Sequence, residues 1–181
     1  EGLYILQQAL EQIHNPEENK SLKTAIYRLK YDEHFFLQLL MALKKRAHED
    51  NTGRVFKKRG RYEKDIFNSL DFTLTDAQIR VLREIRSDLA RNKPMNRLIQ
   101  GDVGSGKTIV AVLATAIVLS HGAQVAIMAP TEILAEQHYH SFVNFCKSAL
   151  IQIKIITGNL KKEEREKIYK DLESGEIKLI V

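Results

Sequence analysis

A glycine-rich run near the middle of the chain carries the clearest chemistry in the sequence. It fits the pattern G-x-x-x-x-G-K-[ST] at every fixed position and reads Gly101-Asp102-Val103-Gly104-Ser105-Gly106-Lys107-Thr108. Glycines let backbone N–H groups approach phosphate oxygens closely, because no side chain fills the space between them. The run therefore predicts a loop that binds the phosphates of a nucleoside triphosphate.

The last two residues of this run have side chains suited to phosphoryl chemistry. We expect the ammonium of Lys107 to reach the β- and γ-phosphates and the hydroxyl of Thr108 to coordinate Mg²⁺. The positive end of a helix that begins here adds a favourable field. A glycine-rich surface turn with an incidental lysine is the other interpretation. A predicted strand at residues 97–100 and a predicted helix at 108–120 favour the phosphate loop over that turn.

A second segment with binding potential, residues 129–137, lies between a predicted strand and a predicted helix. Thr131 is suited to cap that helix through its hydroxyl, and the N-terminal amides of the helix would then face a groove. Such amides suit a phosphate of a nucleic-acid backbone. Simple capping without any ligand explains the same residues, so the segment alone leaves both interpretations open.

A third segment, residues 72–78, offers groups that could recognise a base. The side chain of Gln78 has one acceptor and two donors, which can pair with N6 and N7 of adenine, and Phe72 could stack on the ring. A cap at Thr75 followed by a solvent-facing glutamine is the alternative.

The elements that must position these segments alternate between helix and strand after Phe72. Apolar spacing predicts helices at 76–92, 108–120, 132–150 and 161–174, and strands at 97–100, 124–129, 151–156 and 177–181. Strands separated by helices imply a parallel sheet with helices on both faces. The expected fold class is therefore α/β, a RecA-like P-loop sheet.

The first part of the chain, residues 1–71, is predicted to be mostly helical, and residues 72–181 form the predicted α/β domain. Residues 51–60 read as a loop whose basic residues, Lys57, Lys58 and Arg59, are either solvated or placed to touch a phosphate backbone. The chain stops inside an apolar run at 177–181, which predicts that the α/β domain is incomplete.

Bulk properties narrow the class of protein further. The formal net charge of +5 is compatible with a polyanionic partner without showing one. One cysteine, Cys146, allows no intrachain disulfide, which suits a reducing cytoplasm, and we expect its thiol to pack in the core. The longest apolar stretch, 109–119, is too short to span a bilayer, so no membrane association is expected.

Taken together, the three segments resemble a superfamily-two helicase. Residues 72–78 resemble the Q motif, 101–108 motif I and 129–137 motif Ia, and Thr157-Gly158 lies where a further DNA-contacting pair usually falls. Residues 94–108 are similar to the group formed by RecG and Mfd. Further segments resemble the part of RecG that joins its wedge domain to the motor: 9–10, 13–16, 28–33 and 38–39.

This resemblance to RecG-type helicases implies ATP and Mg²⁺ as cofactors and branched DNA as partner. The implied activity is ATP-driven remodelling of stalled forks and Holliday junctions in repair and recombination. Gln78 would read adenine, and the implied DNA contacts are Pro130, Thr131, Glu132, Thr157 and Gly158. Because the chain shows no D-E-x-[HQ] motif, second lobe or wedge domain, we expect catalysis in the full-length protein and none in these residues alone.

Three alternatives stay open on the sequence. An Mfd-like translocase acting at stalled transcription shares the motor motifs. A P-loop kinase or GTPase is a different class, and a GTPase should show N-K-x-D, which is not found in these residues. A non-catalytic nucleotide-binding module would carry the same loop without turnover. The sequence gives no expectation of oligomeric state.

Overall fold

The computed structural model describes residues 2–49, 51–58 and 60–181. It divides into two compact units, Glu1–Asn51 and Thr52–Val181. The domain boundary predicted between residues 71 and 72 stays a prediction. The two compact units divide earlier, so residues 52–71 belong to the second unit. Of the basic run in the predicted loop, Arg59 lies outside the described residues.

The first unit consists of two helices, α1 (Leu6–His14) and α2 (Asn19–Glu49), which pack against each other. Ala9 of α1 and Ala25 of α2 are fully buried. α1 ends before Asn15-Pro16, where the Asn15 N–H donates to the carbonyl of Glu11.

The second unit alternates helix and strand. Its helices are α3 (Arg61–Asn68), α4 (Asp76–Leu89), α5 (Lys107–Leu119), α6 (Glu132–Cys146) and α7 (Lys162–Glu173), with a 3₁₀ turn at Lys147–Ala149. Its strands are β1 (Val125–Ala126), β2 (Ile153–Lys154) and β3 (Leu179–Ile180). The predicted helices are confirmed, with ends shifted by a few residues.

The three strands form a parallel sheet in the order β1–β3–β2. Leu179 of β3 is in register with Val125 on one side and with Ile153 on the other. Backbone bonds continue past the short strands, since the Val181 N–H donates to the carbonyl of Lys154 at 2.9 Å. The expected α/β fold with a parallel sheet is confirmed, although each strand is shorter than predicted.

The strand predicted at residues 97–100 is wrong. Within the described part of the chain these residues belong to no strand, because no neighbouring segment forms ladder hydrogen bonds with them. The segment is attached through side chains instead. Arg97 binds Glu84 and Asp88 of α4, and Ile99 packs between α4 and α5, whereas Leu98 is 89% exposed.

The centre of the core is α5, which is apolar on all sides and largely buried. Leu113 packs in one cluster with Ile66 of α3, Phe142 of α6 and Leu179 of β3. Burial of each such side chain stabilises the fold by about 1.5–3 kcal/mol. The packing fixes the N-terminal end of α5, where Lys107 and Thr108 lie.

Cys146 belongs to the same cluster, as predicted, and burial raises the pKa of its thiol to about 11. No helix in the described ranges is both long and apolar enough to cross a membrane.

Candidate functional site

The glycine-rich loop turns sharply into the N-terminus of α5. Gly104 and Gly106 adopt left-handed backbone angles, φ +81° and +78°, and the Ser105 N–H donates to the carbonyl of Asp102 at 3.2 Å. Gly106 is the N-cap of α5, so the unpaired first-turn amides of α5 lie beside the loop. The helix end thus places backbone donors next to the loop.

Two glycines of the loop lie against the ends of neighbouring side chains, which would have to shift to admit a Cβ. A Cβ on Gly106 would overlap Nε2 of Gln78, and a Cβ on Gly101 would lie 2.8 Å from Oγ of Ser105. A Cβ on Gly104 would meet nothing within 4 Å, which leaves that side of the loop open. The loop is therefore a tight cradle with one open side, which fits a phosphate group.

The ammonium of Lys107 folds back over the start of the loop. It donates to the carbonyl oxygens of Gly101 at 2.7 Å and Asp102 at 2.6 Å. An ammonium has three donors, so one N–H stays available for an anion. Lys107 is exposed and the adjacent Thr108 is half-buried at the first turn of α5.

Gln78 connects α4 to this loop. With Thr75 it forms a capping box: the Gln78 N–H donates to Oγ1 of Thr75, and the Thr75 N–H donates to Oε1 of Gln78 at 2.9 Å. The amide Nε2 of Gln78 donates to the carbonyl of Ser105 at 3.1 Å. The predicted cap at Thr75 is confirmed, whereas adenine recognition by Gln78 stays a prediction.

Phe72 lies apart from the hydrogen bonds that hold the loop. Its ring packs edge-on against Phe145 of α6 at 6.4 Å between centroids and is 44% exposed. Its predicted stacking on a base stays a prediction.

The segment before the loop is held by α4 through Arg97. Its guanidinium donates to Asp88 Oδ2 at 2.8 Å and 2.5 Å and to Glu84 Oε2 at 2.6 Å. The bond to Asp88 raises the pKa of Arg97, so its charge is retained. From the sequence, Arg97 was assigned only to a predicted strand. Its ion pairs were missed because the partner carboxylates lie on another helix, and nothing in the residues around Arg97 indicates them.

The two segments that hold the five predicted nucleic-acid contacts lie next to each other. Thr131, directly after Pro130, caps α6 by accepting from the Leu134 N–H at 3.3 Å. The carboxylate of Glu132 accepts from Nδ2 of Asn159, which directly follows Thr157-Gly158, at 2.7 Å. The structure thus joins segments that are far apart along the chain.

Comparison with known proteins identifies the family. The profile of the DEAD/DEAH box helicases matches residues 75–181. The chain belongs to the DEAD/DEAH box helicase family. The match begins at the capping residue Thr75 and includes Gln78, the glycine-rich loop and both predicted nucleic-acid segments, while Phe72 precedes it.

Individual helicases refine this comparison, and they confirm the resemblance to RecG. The chain is 42% identical to the ATP-dependent DNA helicase RecG of Synechocystis sp. over 99% of its own length and 22% of the relative. It is 41% identical to RecG of Bacillus subtilis over 96% of its length and 26% of the relative. The chain spans about a quarter of the length of the curated relatives it matches.

A solved helicase structure shares the fold. It is described as RecG bound to a three-way DNA junction and superimposes with a TM-score of 0.79 at 40% identity, covering 96% of this chain and 24% of that one. The similarity therefore includes the helical first unit, which the family profile does not match.

Two residues of this chain were missed by sequence reasoning, Asn159 and Arg165. Arg165 of α7 donates to the carbonyl oxygens of Thr157 at 2.9 Å and Gly158 at 3.4 Å. The basic composition of residues 161–170 hides Arg165 among solvated charges, so the sequence offers no signal for it.

Proposed function

We propose that this chain provides the nucleotide-binding part of an ATP-driven motor that remodels branched DNA in repair and recombination. The branched DNA comprises stalled forks and Holliday junctions. The observation that carries the proposal is the glycine cradle at the N-terminus of α5, tied to the family's Q-motif segment by the bond from Gln78 to Ser105. Membership of the helicase family and the RecG relatives over nearly the whole chain support it.

The proposed nucleotide site is the cradle of residues 101–108. Its backbone amides would hold the phosphates, and Lys107 would turn its free donor towards them and neutralise part of their charge. Thr108 would place its hydroxyl towards Mg²⁺. When this ion is bound, it neutralises charge on the transferred phosphoryl group. Gln78 has one amide hydrogen left for adenine after its bond to Ser105.

The proposed DNA track runs over the N-terminus of α6 and the turn after β2. Pro130, Thr131, Glu132, Thr157 and Gly158 are the residues that we assign to it. The α6 amides and the polar groups of the turn suit phosphate oxygens, which fix position on DNA without reading sequence. The solved structure described as RecG with a three-way junction supports branched DNA as the partner.

Of the alternatives, the Mfd-like translocase is less favoured, because relatives that match 93–99% of this chain are described as RecG. A non-catalytic nucleotide-binding module remains the competing class. It predicts nucleotide binding without DNA-stimulated turnover.

The test is ATP hydrolysis by the full-length protein with and without a three-way junction. We expect junction-stimulated turnover of ATP in the wild type and a loss of about a hundredfold or more in Lys107→Ala. Lys162→Ala, a change at a lysine of α7 with an exposed side chain, is the matched control and should leave turnover unchanged. Nucleotide binding without any junction-stimulated turnover would instead establish the non-catalytic module.

A further inference from the structure

The two predicted DNA-contacting segments are tied together by one side-chain pair. Glu132 directly follows Thr131 and Asn159 directly follows Gly158, and the Asn159 amide donates to Oε2 of Glu132 at 2.7 Å. A Cβ on Gly158 would lie 2.7 Å from Oε1 of the same carboxylate. The carboxylate therefore lies directly against the Thr157-Gly158 turn, and its position sets the spacing of the segments.

The chemistry of Glu132 is poorly suited to a direct DNA contact. An ionised carboxylate has acceptors and no donor, so it cannot hydrogen-bond a phosphate oxygen and is repelled by its charge. One oxygen of Glu132 already accepts from Asn159 and the other lies against Gly158. These contacts suit a residue that holds the turn in place.

Arg165 fixes the orientation of the same turn. Its guanidinium attracts the carbonyl oxygens of Thr157 and Gly158 towards α7. In a trans peptide the N–H points opposite to the preceding C=O, so the N–H groups of Gly158 and Asn159 point away from α7. Neither donates to another group in the described ranges. Two free amides are thereby directed to one side.

We propose that Glu132 and Asn159 are positioning residues that hold Thr131 and Thr157-Gly158 at one fixed spacing along a DNA backbone, with Arg165 orienting the second segment. This inference rests on the proposed function, since it presumes that both segments meet DNA. The resemblance implied that Glu132 contacts DNA. In this inference Glu132 instead acts through Asn159, by holding the turn in place. A fixed spacing lets the two segments engage phosphates of one strand together.

The test is a double-mutant cycle on the full-length protein, read as equilibrium binding to a fluorescent three-way junction. Glu132→Ala and Asn159→Ala should each weaken binding by about three- to tenfold, because each removes the same hydrogen bond to a charged group. The double variant should bind no more weakly than either single variant. Glu173→Ala removes an exposed carboxylate at the end of α7, outside both segments, and should bind as the wild type does.

A charge swap separates positioning from contact. Asn159→Asp places two carboxylates together and should weaken binding. Adding Glu132→Gln should restore binding, because the amide introduced on α6 can donate to the carboxylate introduced in the turn. Rescue is not expected if Glu132 itself touches DNA. The salt dependence of binding should keep its slope in Glu132→Ala, since no phosphate contact is lost.

Several outcomes overturn the inference. Glu132 and Asn159 have independent roles if the double variant loses the product of the two single losses in binding affinity. The same conclusion follows if the charge swap fails to restore binding in a protein whose thermal unfolding is unchanged. Arg165→Ala should weaken binding by about two- to fivefold, since it removes the Nη2 donor that both carbonyls share; wild-type binding contradicts its orienting role. A wild type that binds no junction refutes the proposed function, and the inference with it.

Discussion

The side-chain amide of Gln78 donates to the backbone carbonyl of Ser105 at 3.1 Å while its oxygen caps the start of α4. One residue thus connects a helix terminus to the middle of the glycine-rich loop. Movement of the loop and fraying of α4 are therefore coupled through a single amide.

The substitution Gln78→Glu should separate the two contacts of this residue. The introduced carboxylate would still accept from the Thr75 N–H but could not donate to Ser105. We expect near wild-type thermal unfolding with nucleotide affinity about five- to tenfold lower, whereas Gln78→Ala should lower both. Titration with ATP and with GTP measures the effect. Equal losses for both nucleotides indicate loop positioning, and a loss for ATP alone indicates adenine recognition.

Two alanine substitutions in the loop should differ in severity. Gly104→Ala bears only the cost of its left-handed backbone, about 1–2 kcal/mol, because a Cβ there meets open space. Gly106→Ala adds overlap with the Gln78 amide and should cost clearly more, with loss of nucleotide binding. Urea unfolding of both variants measures the difference. Equal destabilisation would show that Gln78 moves aside freely.

The buried thiol of Cys146 should be unreactive in the folded protein. Its pKa is raised to about 11, so the thiolate fraction at pH 8 is about a hundredfold lower than for a thiol with a pKa of 9. Iodoacetamide at pH 8 should label the protein in urea and not in buffer. Rapid labelling in buffer would mean that the α6 end opens often.

The same thiol predicts how stability changes with pH. Because the folded pKa lies above the unfolded one, its contribution is fully present below about pH 9 and is lost as pH rises towards 11. Between pH 8 and 10.5 the free energy of unfolding of the wild type should fall by up to about 2 kcal/mol more than that of Cys146→Ala. Parallel pH profiles for the two proteins would contradict this.

The ion pairs of Arg97 should anchor the residues before the loop. Arg97→Ala should lower the melting temperature and weaken nucleotide binding, because the segment loses its bonds to Glu84 and Asp88. Arg91→Ala is the matched control, since Arg91 pairs with the same Asp88 at 3.5 Å but its side chain is 67% exposed. The difference between the two variants should shrink in concentrated salt. Identical melting temperatures in dilute buffer would rule out the anchor.

The sequence predicted the features that are encoded locally. The cap at Thr75, the helix that follows the loop, the burial of Cys146 and the parallel sheet all depend on residue types at short spacing or on the alternation of elements. The error at residues 97–100 has the opposite cause. A strand requires a partner across space, and an apolar run cannot show whether one lies beside it.

The tie between Glu132 and Asn159 was beyond the sequence for a similar reason. The two residues lie in segments separated by a helix and a strand, and each is an ordinary polar residue after a turn or cap. Their contact follows from the pairing of β2 with β3 and the packing of α6, which are tertiary features. Resemblance alone gave Glu132 a role by position and could not show what its carboxylate touches.

The central place of β3 in the sheet has a consequence for biosynthesis. β1 and β2 are both paired with β3 and not with each other, yet β3 is the last of the three to leave the ribosome. Until then the nascent chain can form α3 to α6 but holds two strands without partners. The phosphate cradle at α5 can therefore be made early, while the spacing of the two strands that precede the nucleic-acid segments waits until β3 has emerged from the ribosome.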